Sequence, residues 1–164
     1  MKLLVTGAGG LLGSAVVRSA RGRGHEVMEG VRAPGENELT AGIGPAADTT
    51  AGIGPAAETA AGIGPAAETG SRILVDVTDR EHVAEVVSEV APDAVVHCAG
   101  YTDVDGAEAN RDEAFEVNVS GSRWVARAAA DAGSLVLLPS TDYVFDGTAS
   151  RPYRPGDSPN PINL

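Results

Sequence analysis

Short apolar runs alternate along this chain with longer segments in which apolar residues recur every three or four positions. The runs lie at residues 3–5, 25–32, 72–77, 94–98 and 135–138. Runs of this length are typical of buried strands. The recurrence of apolar residues every three or four positions in the intervening segments is typical of amphipathic helices. Strands that alternate with helices pair in parallel through right-handed crossovers. The pattern therefore predicts an α/β fold, a Rossmann-type doubly wound parallel sheet of about five strands.

Two predicted helices have a recognisable start or inner face. Thr-Asp-Arg-Glu at residues 78–81 is a capping box that opens a helix. Its expected inner face consists of Val83, Val86, Val87 and Val90. A longer helix is predicted over residues 112–133, and its expected inner face consists of Phe115, Val119, Trp124, Val125 and Ala128.

Residues 41–70 repeat with a period of ten: AGIGPAADTT, AGIGPAAETA and AGIGPAAETG. Each unit carries a single large apolar side chain, which buries too little surface to offset the entropy of ordering the other residues. We therefore predict that residues 34–70 form a flexible insertion in a surface loop of one domain that spans residues 1–164. A binding segment is the alternative.

Composition narrows the function classes. The net charge of −11 argues against a nucleic-acid partner. No apolar run approaches the ~20 residues of a membrane span, and no secretion signal is recognisable. Cys98 is the only cysteine, so we expect a cytoplasmic protein without an internal disulfide. The acidic, lysine-poor composition suits either a high-salt cytoplasm or drift in a GC-rich genome.

No grouping of the three histidines with the single cysteine has the spacing of a metal site, so no metal is expected. His97 and Cys98 stand together at the end of the fourth predicted strand, where we expect both to be core residues.

A glycine-rich turn follows the first strand. The dinucleotide pattern GxGxxG fails because position 12 is leucine, but GxxGxxG fits Gly7, Gly10 and Gly13. A strand, such a turn and a helix together present backbone N–H groups at a helix N-terminus, which favours a diphosphate. We interpret this turn as a nucleotide-binding site; an ordinary structural turn is the alternative.

The end of the second strand bears on the choice of cofactor. An acidic residue there binds the adenosine ribose of NAD, whereas a nearby arginine accommodates the 2′-phosphate of NADP. Val31 stands where the acid is expected, and Arg32 follows it. The sequence therefore predicts that NADP(H) is preferred over NAD(H), unless Arg32 is merely a solvated strand end.

Several motifs in a fixed order resemble a known family. After the glycine turn come HCAGYTDVDGAE, Asn118 in VNVSG, STDYVFDG, RPY and NPIN. In this order they resemble the N-terminal portion of the dTDP-4-dehydrorhamnose reductase family, which consists of extended short-chain dehydrogenases/reductases. The resemblance covers all of the chain except the decapeptide repeats. It implies NAD(P)H-dependent reduction of a 4-keto nucleotide sugar, dTDP-4-dehydro-L-rhamnose, in dTDP-rhamnose biosynthesis, and with the preference argued from Arg32 the expected reductant is NADPH.

The resemblance also implies roles for individual residues. Those expected at the cofactor are the glycine turn with Gly10, Leu11 and Leu12 at the diphosphate, Arg32 at the adenosine ribose, Asp76 and Val77 at the adenine, and Ala99, Gly100 and Tyr101 at the nicotinamide. Thr141 is expected to hydrogen-bond the sugar carbonyl as a catalytic residue, with Asp142 near the substrate. For Asp76 the alternative is a cap of the adjacent helix, and for Asn118 a structural hydrogen bond is expected.

One departure from the family concerns the proton donor. These reductases use a Tyr-x-x-x-Lys pair that follows the NPxN segment, but Lys2 is the only lysine here. We therefore expect a Rossmann domain that is incomplete at its C-terminus and ends before that helix. The alternative function is a non-catalytic NADP-binding or regulatory subunit. Beyond the nucleotide sugar, no nucleic-acid or membrane partner is expected, and a homodimer is left open.

Overall fold

The structure, a computed structural model, describes residues 1–32 and 71–163. In these ranges one parallel sheet contains the strands β1 Lys2–Thr6, β2 Glu26–Val31, β3 Arg72–Leu74, β4 Ala94–His97 and β5 Leu135–Leu137. Their order is β3-β2-β1-β4-β5. This is the order of a doubly wound Rossmann-type sheet, so the predicted fold class is confirmed. The predicted insertion at 34–70 lies outside the described ranges.

Five α-helices accompany the sheet in the described ranges: α1 Leu11–Gly22, α2 Arg80–Val90, α3 Val104–Ala109, α4 Arg111–Phe115 and α5 Ser122–Asp131. A π-helical turn, Glu116–Gly121, joins α4 to α5, and a 3₁₀ turn, Asp142–Val144, follows β5. None of the helices in this part of the chain is both long and apolar enough to cross a membrane.

The core has two layers because successive strand residues point to opposite faces of the sheet. On one face, Leu3 and Val5 of β1 pack with Val17 and Ala20 of α1. On the other, Leu4 packs with the valines of α2 and the inner residues of α5. Both faces of the central strands are therefore covered, as expected for parallel strands.

The prediction for α2 is confirmed on its inner face and wrong at its first turn. Val83, Val86, Val87 and Val90 are all buried. The helix is capped by Asp79 rather than by the threonine before it, since the Asp79 carboxylate accepts a 2.9 Å hydrogen bond from the backbone N–H of His82. The N-cap therefore lies one residue later than expected, and His82 rather than a glutamate stands at the third helical position.

The span of the predicted long helix agrees with the structure better than its predicted inner face does. Val125 and Ala128 are buried, but Phe115 is 52% exposed and Val119 is 40% exposed. The π-helical turn between α4 and α5 adds a residue to one turn, which shifts the phase of every side chain before it. As a result Ala114 and Gly121 face inward in place of the two larger residues.

Candidate functional site

The turn between β1 and α1 needs glycine at two positions because backbone passes very close to them. Gly7 has a φ of +66°, and a Cβ there would lie 2.6 Å from the backbone nitrogen of Ala99. A Cβ on Gly13 would overlap the carbonyl oxygen of Gly7. By contrast, nothing lies within 4 Å of a Cβ built on Gly9. Glycine at 7 and 13 thus lets α1 start directly against β1 and β4.

The N-terminus of α1 is open to a ligand. Its N-cap, Gly10, provides no side-chain hydrogen bond, and the first turn contains no acidic residue. The first N–H groups of an α-helix have no partner within the helix and carry the positive end of its dipole. Leu11 and Leu12 at this position are 87% and 50% exposed. The arrangement suits an anion next to two apolar side chains.

Asp76 follows β3 and is held by a local turn. One of its carboxylate oxygens accepts hydrogen bonds from the backbone N–H and the hydroxyl of Thr78, at 2.9 and 2.7 Å. Partial burial acts to raise the pKa of Asp76, but these hydrogen bonds outweigh burial and lower it. The nearby positive charge of Arg32 lowers it further. Asp76 does not cap α2, so the alternative role considered for it is wrong.

The next residue, Val77, is 8% exposed and belongs to the core beneath α2 and α5. Its side chain touches Gly121 of the π-helical turn, where an added Cβ would lie 3.1 Å from a Val77 methyl group. Any contact of residue 77 with a ligand must therefore come from its backbone.

Asn118 fixes the backbone that follows β4. Its side-chain oxygen accepts a 2.7 Å hydrogen bond from the backbone N–H of Tyr101, and its side-chain nitrogen donates a 3.0 Å bond to the carbonyl oxygen of the same residue. Asn118 lies on the π-helical turn, a feature that often occurs at functional sites. The expectation of a structural hydrogen bond is confirmed, and this bond ties the backbone of Tyr101 to the π-helical turn.

His97 lies beneath this loop and is 2% exposed. Its Nδ1 is 2.6 Å from the hydroxyl oxygen of Thr6, and its Nε2 has no partner among the described residues. Burial lowers the pKa of His97 to about 4, so the ring is neutral at pH 7. Burial also raises the pKa of the Cys98 thiol. His97 is a core residue, as expected, and the partly buried Cys98 packs against the core on the α1 side.

Thr141 and Asp142 stand on the exposed segment after β5. The hydroxyl oxygen of Thr141 accepts a 3.2 Å hydrogen bond from the backbone N–H of Tyr143 and lies 3.4 Å from a carboxylate oxygen of Asp142. The hydroxyl proton has no short internal acceptor in the described part of the chain, because 3.4 Å is long for an O–H···O bond. Thr141 can therefore donate to an external acceptor.

The segment after Thr141 is held together by Asp146, which the sequence did not single out. Its carboxylate accepts hydrogen bonds from the backbone and hydroxyl of Thr148, the phenol of Tyr153 and the side-chain amide of Asn160. Tyr153 also stacks on Phe145, with ring centroids 4.1 Å apart. These contacts tie RPY and NPIN to the turn that carries Thr141.

The predicted site residues all follow the carboxyl ends of parallel strands, which form one edge of the sheet. Ligands of open α/β sheets bind at this edge. The only lysine, Lys2, begins β1 at the opposite edge, where its ammonium group lies 4.0 Å from a carboxylate oxygen of Glu26. Residues 1–164 thus offer no lysine to a phenol at this edge.

Comparison with known proteins gives one family for the whole chain. The family described as RmlD substrate binding domain matches residues 1–164. A probable low-salt glycan biosynthesis reductase from Haloferax volcanii is 36% identical over 162 residues, which cover 99% of this chain and 44% of that protein. A dTDP-4-dehydrorhamnose reductase from Mycobacterium tuberculosis is 43% identical over 90 residues, 52% of this chain and 29% of that protein.

Among solved structures, a dTDP-4-dehydrorhamnose reductase from Bacillus anthracis in complex with NADP is similar, with a TM-score of 0.69 and 28% sequence identity. The match covers 99% of this chain and 44% of that one. The chain therefore spans less than half the length of these relatives.

Proposed function

The chain belongs to the family described as RmlD substrate binding domain, and from this membership we propose that it is the cofactor-binding portion of a nicotinamide-dependent reductase. The proposed reaction is the NADPH-dependent reduction of a 4-keto nucleotide sugar, of the type that converts dTDP-4-dehydro-L-rhamnose to dTDP-L-rhamnose. The observation that carries the proposal is the open N-terminus of α1 beside the glycine turn.

The residues at this N-terminus fit a dinucleotide diphosphate. The positive end of the helix dipole and the unpaired N–H groups attract it, and no acidic side chain in the first turn repels it. The exposed Leu11 and Leu12 cover the apolar parts of the ligand. Asp76 and the backbone of Val77 lie at the adenine, and residues 99–101 lie at the nicotinamide.

The preference for NADPH over NADH is part of the proposal. Val31 at the end of β2 offers no carboxylate to the hydroxyl groups of the ribose, and Arg32 adds a positive charge at the same strand end. A 2′-phosphate therefore meets no acidic side chain at residues 31 and 32.

Thr141 is the proposed contact with the substrate carbonyl. The oxygen of its hydroxyl accepts from the Tyr143 N–H, and its proton has only the long 3.4 Å contact to Asp142, so the hydroxyl can donate to a keto group. The bound cofactor supplies the hydride. The alkoxide that results needs a proton donor, and a threonine hydroxyl is too weak an acid for that role near pH 7.

A charge reversal at Leu11 tests the cofactor site without disturbing the fold. Leu11 is 87% exposed, and a glutamate in the first turn of a helix is itself stabilising. We expect Leu11→Glu to keep or raise the melting temperature and to weaken NADPH binding about tenfold or more, as measured by calorimetry. Leu11→Gln is the matched neutral control, with binding within about threefold of the wild type. Unchanged NADPH affinity in Leu11→Glu would contradict the proposal that the diphosphate binds at the N-terminus of α1.

A further inference from the structure

A cavity of about 330 Å³ opens between the glycine turn, α1 and the strands β2 and β3. The polar or glycine residues that line it are Gly9, Ser14, Arg18, Arg21, Glu29 and Arg72. The apolar residues Ala8, Val17 and Val31 complete the wall. In dinucleotide-binding folds the adenosine ribose lies between the glycine turn and the end of the second strand.

A buried carboxylate organises the floor of this cavity. Glu29 is 8% exposed, and its two carboxylate oxygens lie 2.7 Å from a guanidinium nitrogen of Arg21 and 3.2 Å from the Nε of Arg72. Arg21 also donates a 3.4 Å hydrogen bond to the carbonyl oxygen of Val27. Two guanidinium groups paired with one carboxylate leave a net positive charge. The carboxylate holds both arginines at the wall of the cavity.

Arg18 adds a further charge. It stands on α1 one turn before Arg21 and is exposed, with no hydrogen bond or ion pair to another residue in the described ranges. The ionisable groups of the cavity wall are three guanidinium groups and one carboxylate, a surplus of two positive charges. That surplus matches a phosphate monoester, which carries −1.5 to −2 near pH 7.

Arg32, the residue that the sequence suggests for the 2′-phosphate, stands apart from this cavity. Val31, the last residue of β2, lines the cavity, whereas Arg32 is not among the residues of its wall. Consistent with this, the guanidinium of Arg32 acts on Asp76 and helps to lower the pKa of that carboxyl group.

We propose that Arg18 and Arg72, with Arg72 positioned by Glu29, bind a phosphate monoester on the adenosine ribose of the dinucleotide, the 2′-phosphate of NADPH. Guanidinium groups recognise phosphate with paired hydrogen bonds, and those of Arg18 have no competing partner among the described residues. This inference rests on the proposed dinucleotide site and names the residues that choose between NADPH and NADH.

The test compares NADPH and NADH affinities at one fixed ionic strength for the wild type, Arg18→Gln, Arg32→Gln and Arg127→Gln. Arg127 is an exposed residue of α5, on the opposite face of the sheet, and controls for the loss of one positive charge. We expect Arg18→Gln to weaken NADPH about tenfold and to leave NADH within about twofold, since a hydrogen bond to a charged group is worth about that factor. Arg127→Gln should leave both affinities unchanged, and Arg32→Gln should alter their ratio less than Arg18→Gln does.

Competition with adenosine 2′,5′-bisphosphate and adenosine 5′-monophosphate isolates the phosphate, because only the former should lose affinity in Arg18→Gln. An unchanged NADPH-to-NADH ratio in Arg18→Gln, an equal loss for both dinucleotides, or a larger effect in Arg32→Gln would overturn the assignment while leaving the dinucleotide site in place. A wild-type chain that binds neither dinucleotide contradicts the proposed function, and this assignment with it.

Discussion

Two alanine substitutions in the same glycine turn should differ in their effect on stability, with Gly13→Ala destabilising and Gly9→Ala close to neutral. In Gly13→Ala the new methyl group would overlap the carbonyl oxygen of Gly7 and lie 2.8 Å from its carbonyl carbon and 2.9 Å from the Cα of Ala8. These are backbone atoms, so relief requires α1 to move away from β1. In Gly9→Ala the methyl group meets nothing within 4 Å.

The expected magnitude follows from two opposing effects. Overpacking of this kind costs about 3 kcal/mol, and the higher helix propensity of alanine returns ~1 kcal/mol. A net loss of at least ~2 kcal/mol lowers the melting temperature of a chain of this size by roughly 4–8 °C. Gly9→Ala should change it by no more than ~3 °C, because a compatible glycine-to-alanine change is neutral or slightly stabilising.

Thermal unfolding followed by circular dichroism measures both variants against the wild type. NADPH binding should be lost in Gly13→Ala, since the N-terminus of α1 moves. Equal melting temperatures for the two variants, or a larger loss in Gly9→Ala, would refute the claim that close backbone approach dictates these glycines.

Three further outcomes are expected. Because burial lowers the pKa of His97 from 6.5 to about 4, the free energy of unfolding should fall by up to ~3 kcal/mol as pH drops from 6.5 to 4; denaturant titrations should show this dependence flattened in His97→Asn. The hydrogen bond from the Thr148 backbone to Asp146, and that from Arg151 to Asp157, head the causes that lower both carboxyl pKa values. The stabilisation of residues 141–160 by these hydrogen bonds should therefore be complete above about pH 4 and should decrease progressively as the pH falls further towards the lowered pKa values. The Tyr153 ring signals in NMR spectra should begin to change only below about pH 4; a change that is complete above pH 4 would argue otherwise. Finally, the 164-residue chain with NADPH and dTDP-4-dehydro-L-rhamnose should show no sustained loss of nicotinamide absorbance, whereas turnover abolished by Thr141→Val would reveal a proton donor unaccounted for.

The fold could be predicted from local sequence patterns wherever a single pattern of apolar residues was strong. The apolar runs mark all five strands, and the helical spacing from Val83 to Val90 gives the buried face of α2. The capping position was missed by one residue because Thr78 and Asp79 are both good N-caps, and the choice depends on the hydrogen bond that Thr78 makes to Asp76.

Other features depend on contacts that no local pattern encodes. A π-helical turn changes the period for a few residues only, so the exposure of Phe115 could not be read from helical spacing. Glu29 pairs with Arg21, 8 residues before it, and with Arg72, 43 residues after it and beyond the decapeptide repeats. The hydrogen bonds to Asp146 likewise exist only once the segment after β5 has folded back on itself.

The most direct test of the cofactor site is to map NADPH onto the chain by NMR. Backbone amide signals of residues 7–13, 76–77 and 99–101 should shift on addition of NADPH, because these residues surround the proposed site at the carboxyl edge of the sheet. Signals of Asp93 and Ser134, at the amino ends of β4 and β5, should stay in place. Shifts confined to the amino edge, or no shifts at saturating NADPH, would contradict the account.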